Sequence, residues 1–209
     1  YHERDLRVAS DNACHATDED MGADHRDDTQ ASAERTVKCV RYYWEVNYDI
    51  FQGKGGVANA VNYVTGLFNQ SAILYANDGI SVALSEVHVW DVPSPYTSSY
   101  TSTQLSTFGS TRTSFNGDLA HLLGYSGGGG VAWLNTICSS QTRYRMAYSD
   151  INSTYQNVPT YSWSVEVVTH EQGHNMGSNH THACVWNGNN TAIDGCGPVA
   201  GYSEGSCAQ

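Results

Sequence analysis

Residues 170–180 read His-Glu-Gln-Gly-His-Asn-Met-Gly-Ser-Asn-His. His170 and His174 are four positions apart, so a helix through them presents both imidazoles on one face. Two nitrogen ligands of one metal ion need that spacing. Glu171 adjoins the first ligand and points to a neighbouring quadrant, from which its carboxylate reaches a water at an open coordination position. A third ligand six residues after His174 cannot come from the same helix face. Gly177 supplies the required turn, because glycine tolerates the left-handed backbone that ends a helix. His180 then swings back to the metal. His182 is a rival for that place, but the Gly177 spacing selects His180. The bland alternative is a helix with three surface histidines and no metal. The joint occurrence of His170, Glu171, His174, Gly177 and His180 speaks against it. Three neutral imidazoles leave a zinc ion its full charge, which lowers the pKa of bound water to about 7.

Outward from this stretch, the chain alternates helical and strand patterns. Apolar contacts at Trp163, Val167 and Val168 extend the helix back to about Ser162. Upstream, Val40, Tyr42, Trp44, Val46, Tyr48 and Ile50 alternate with Arg41, Glu45 and Asp49, which predicts a strand over 38–50. Val57, Ala60, Val61, Val64, Leu67, Phe68 and Leu74 keep helical spacing over 57–77. Residues 80–91 predict a strand, apolar on both faces in places and therefore expected in the middle of a sheet. A helix is expected over 101–116, and short strands over 118–123, 131–135 and 143–149. This order fits an α+β fold, an α/β sandwich. His88 and His121 fall on strands and read as structural residues rather than ligands.

The 209 residues carry a net charge of -11, which excludes the basic footprint of a nucleic-acid binder. No apolar run is long enough to span a membrane. Residues 1–37 form a polar, acidic leader, expected to be the end of a pro-segment. Residues 38–209 form the catalytic domain. Six cysteines without a C-x-x-C pair predict disulfides and an extracellular protein. Cys184 is expected to pair with Cys196 or Cys207, bracing a segment too small for its own core.

Together these residues resemble the metzincin clan of zinc peptidases, and within it the reprolysin (adamalysin-like) family and its bacterial relatives. Val167-Val168-Thr169 before His170 is similar to the family's active-site helix. Leu119-Ala120-His121-Leu122-Leu123 is similar to its upper edge strand. Gly130-Val131-Ala132-Trp133-Leu134-Asn135 followed by Cys138 is similar to its next strand and cysteine loop. The resemblance implies a twisted mixed sheet, two long helices, an active-site helix and a small lower subdomain after Gly177.

It also implies a secreted zinc endopeptidase, with Zn2+ on His170, His174 and His180. Water activated by the zinc attacks a peptide bond, with Glu171 as general base. Protein or peptide substrate is expected along Leu119, Ala120, His121 and Leu122 as an added strand. A Ca2+ site is a further expectation, in the acidic loops. The alternatives are a latent zymogen, with Cys14 as the ligand that blocks the zinc, and a non-catalytic zinc-bound binding module. Two departures stand out. Thr181 occupies the place where the family has Asp after the third His. The methionines are Met21, Met146 and Met176, none after His180. The family's methionine turn is therefore expected in a C-terminal part beyond Gln209.

Overall fold

The computed structural model describes residues 39–195 and Cys207. The leader, Cys14 and Cys196 lie outside those residues. Strand β1 (Cys39–Val46) is covered on both faces, with Tyr42, Trp44 and Val46 in one apolar cluster and Tyr43 in another. It stops at Asn47, whose N–H bonds Leu123 O (2.9 Å) and whose Oδ1 accepts the N–H of Tyr48 (2.8 Å). That side chain caps helix α1 (Tyr48–Lys54), which ends in left-handed Gly55. The strand expected over 38–50 is thus corrected: its alternation through Tyr48 and Ile50 belongs to a capped helix that buries Ile50.

Helix α2 (Val57–Asn77) follows the predicted span and packs Val61, Val64, Leu67 and Phe68 on β1. Then come β2 (Ser81–Val89), α3 (Thr101–Thr111), β3 (Leu119–Gly124), β4 (Gly130–Ala132), β5 (Met146–Asp150) and α4 (Trp163–Met176). The five strands form one mixed sheet in the order β2-β1-β3-β5-β4, parallel except for β4. Valines of α4 join the α2 cluster, while Leu105 and Phe108 of α3 fill the cluster holding Tyr43 and Tyr148. The α+β sandwich expected from the element order is what the chain forms.

Two strand positions differ from expectation. Strand β2 is outermost rather than central, and its first six residues are only half-buried. Strand β3 is central rather than an edge: it pairs with β1 on one side and β5 on the other, and all six of its residues are buried. Leu119, Ala120, His121 and Leu122 therefore have no backbone edge to offer a peptide. Near-continuous apolar character on both faces marks an interior parallel strand, and Leu119-Ala120-His121-Leu122-Leu123 carries more of it than 80–91.

On the α3 face, buried Glu45 accepts hydrogen bonds from Tyr43 OH (2.9 Å), Trp90 Nε1 (2.7 Å), Tyr96 OH (2.6 Å) and Arg112 Nε (2.7 Å). Burial by itself raises the carboxyl, but the bonds from Arg112, Tyr96 and Trp90 outweigh it and hold the group below the usual carboxylate range. After Gly177 the described residues contain no helix and only one isolated bridge, Trp186 to Thr191, and a Cys184–Cys207 disulfide ties this segment together. No described helix is long and apolar enough to cross a membrane.

Candidate active site

Helix α4 is held in one rotation about its axis. Val165, Val167 and Val168 are buried in the α2 cluster. Polar contacts fix the register: Ser71 Oγ donates to Gln172 Oε1 (2.9 Å), Thr169 Oγ1 donates to Ser71 Oγ (2.9 Å), and Tyr75 OH donates to Thr169 O (2.6 Å). The last carbonyls of the helix, orphaned by its end, are met by the loop after β4. Asn135 N–H bonds His174 O (2.8 Å), and the N–H groups of Thr136 and Ile137 bond Asn175 O (2.9 and 3.1 Å). Asn175 Nδ2 returns a bond to Trp133 O (2.8 Å). Helix and strand β4 are thereby locked together.

The helix ends at Gly177, with φ of 107°, and Ser178 N–H bonds back to Gly173 O (2.9 Å). This is the turn the sequence predicts. It brings His180 back, so that Nε2 of His174 lies 2.9 Å from Nε2 of His170 and 3.1 Å from Nε2 of His180. Ligand atoms of these three residues all lie within 4.8 Å of one another. A tetrahedral ion with Zn–N bonds of about 2.0–2.1 Å sets its nitrogens roughly 3.3 Å apart, close to the spacing found.

The protons are arranged for the same purpose. Nδ1 of His174 lies 2.7 Å from Ser178 O, and a carbonyl only accepts, so the proton sits on Nδ1 and the lone pair on Nε2. Partial enclosure, and then the neighbouring His174 and His180, push His170 down to about 4, so its ring is neutral at pH 7. Three imidazole donors and no thiolate fit zinc. His182 is buried with its ring 4.9 Å from that of His180, outside the converging set. Among the described residues no other group of three or more His, Cys, Asp or Glu side chains converges in this way.

Glu171 is 5% exposed. Burial pushes its carboxyl up to about 8. It leans against β4: a Cβ added to Gly130 would stand 2.5 Å from Glu171 Cγ and 2.7 Å from Cδ. A cavity of about 750 Å³ opens beside His170 and His174, walled by Leu74, Val158 and Val165, with Asp78 and Glu166 also among its lining residues.

Three contributors went unread in the sequence. Gly130 gave no signal, since it sits in a run of glycines. The Ser178 carbonyl is a backbone group. Asp194 accepts a hydrogen bond from Thr181 Oγ1 (2.6 Å), and the N–H of Ile193 bonds Thr181 O (2.7 Å). Asp194, 13 residues on, is thus bonded to the residue that follows the third histidine. The family model Reprolysin_5, described as metallo-peptidase family M12, matches residues 45–208. No curated protein sequence matches the chain.

Proposed function

The chain belongs to metallo-peptidase family M12, and from that membership we propose that it is a secreted zinc endopeptidase. In this reading His170, His174 and His180 hold the ion and Glu171 is the general base. The observation that carries it is the convergence of three Nε2 atoms beside a buried carboxylate on the residue following the first histidine.

Zinc, when bound, polarises a peptide carbonyl and acidifies a water molecule. The chain's own residues do the rest. Ser178 keeps the His174 proton on Nδ1. Glu171 takes a proton from the attacking water and passes it to the departing amine nitrogen as the C–N bond breaks. Glu171, whose carboxyl burial pushes up, would be favoured in its ionised form by a cation held on the three histidines. Strand β4 pairs with β5 on one side and with no described strand on the other. An extended peptide adds to that open edge by backbone hydrogen bonds.

The Cys184–Cys207 bridge supports an oxidising, extracellular destination. Recovery of the active protein from cell extracts alone, with none in the medium, refutes that part. The chemistry is tested by Glu171→Ala, which should still bind zinc while casein hydrolysis falls about 10²–10⁴-fold. Parent-like cleavage by that variant rules the proposal out.

A further inference from the structure

Resting on the reading of Glu171 as the base, we propose that Gly130 is a positioning residue for it: its missing side chain is the space that the Glu171 carboxylate occupies. Among the glycines before it, Gly127, Gly128 and Gly129 have φ of 137°, 73° and 151°, so their backbone explains them. Gly130 has no such φ. It lies in β4, paired with Ser149 of β5, where other residues fit the backbone and glycine weakens a strand. What demands glycine here is room. The three atoms nearest an added Cβ are Oε1, Cγ and Cδ of Glu171, and no backbone atom is among them.

The consequence is one-sided. Strand β4 is fastened to β5, and the loop after it is fastened to the end of α4 through His174 O and Asn175 O. The wall cannot retreat, so a methyl group at 130 moves the carboxylate. His170, His174 and His180 take no part in this contact, and the metal-binding nitrogens keep their places.

The test uses the full chain. Gly130→Ala is expected to lower kcat on a casein-derived peptide about 10–100-fold, with KM and zinc affinity each within about twofold of the parent. Zinc affinity is read by competition with a chromophoric chelator. A second readout needs no activity. In zinc-free protein, Gly130→Ala should lower Tm by roughly 3–10 °C. In the Glu171→Ala background, where the obstructing side chain is gone, the same change should lower it by nothing measurable. An equal Tm penalty in both backgrounds overturns the proposal, as does a loss of zinc affinity matching the loss of kcat. If the zinc-loaded parent cleaves no peptide, the peptidase reading fails, and the Tm comparison still decides whether Gly130 makes room for Glu171.

Discussion

Nδ1 of His174 lies 2.7 Å from the carbonyl oxygen of Ser178, four residues on, and that carbonyl is aimed by the left-handed Gly177. One turn therefore ends the helix, orients the second ligand and redirects the chain to the third.

Gly177→Ala should damage all three. The substitution imposes a φ near 107° on alanine and places its Cβ 3.1 Å from Asn135 Oδ1. The expected cost is about 1–3 kcal/mol of stability. Zinc affinity should fall 10–100-fold, the usual effect of disturbing a ligand's hydrogen-bond partner. Chemical denaturation and a zinc titration measure the two effects.

Chelation should destabilise the protein. At free zinc 100-fold above Kd, binding to the folded state adds about 2.7 kcal/mol, or roughly 5–10 °C in Tm for a chain of this size. The shift should vanish in His180→Ala and persist in His182→Ala, since His182 lies outside the converging set. Equal loss in both variants contradicts the ligand assignment.

Arg112→Ala removes the guanidinium paired with buried Glu45. Leaving a buried charge without its partner costs about 3–5 kcal/mol. The pH dependence has a definite sign. Because the folded-state pKa of Glu45 is lowered, its stabilisation is complete above the unfolded value and is lost as pH falls through the folded one. Arg112→Ala should move acid unfolding to higher pH, as followed by circular dichroism.

His121 has the opposite charge logic and the same direction. It is fully buried, its Nε2 is 2.8 Å from Ser149 Oγ, and burial pushes it down to about 3. An unfolded histidine binds a proton near 6.5, so between these values the unfolded state holds the extra proton. Stability should fall below pH 6.5 by up to about 1.4 kcal/mol per pH unit from this group. Urea midpoints of zinc-free His121→Gln, from pH 7 to 4, should decline with a slope shallower by one proton than those of the parent.

The cavity beside His170 combines apolar walls with Asp78 and Glu166, and none of its described lining residues is Lys or Arg. Peptides with Lys or Arg reaching this cavity should be cleaved in preference to those with Glu. Glu166 is exposed, so Glu166→Gln should reduce kcat/KM for the basic peptides by only about two- to fivefold, the worth of a surface ion pair. A leucine peptide should be unaffected.

Legibility followed the range of the interaction. Helix α2 and the extent of α4 were readable because apolar spacing of three and four and the glycine at 177 act within a turn or two. The alternation through Tyr48 and Ile50 misled because capping by Asn47 is decided at one residue, whereas a period of two needs only coincidence to continue. The sheet order misled for a different reason. Residues 80–91 and 118–123 both look like strands, and nothing local says which of them has a neighbour on each side.

By itself, the sequence determined the chemistry of the centre: three imidazoles, a carboxylate beside the first, and a glycine to bring the last one back. These lie within eleven consecutive residues, where helix geometry fixes distance from spacing. Only the tertiary structure decided what surrounds them. It placed β3 in the interior and β4 at the edge, set Gly130 against Glu171, and brought Asp194 to Thr181. The last two join residues 41 and 13 positions apart, and all of them exist only once strands have paired and α4 has been seated on the sheet.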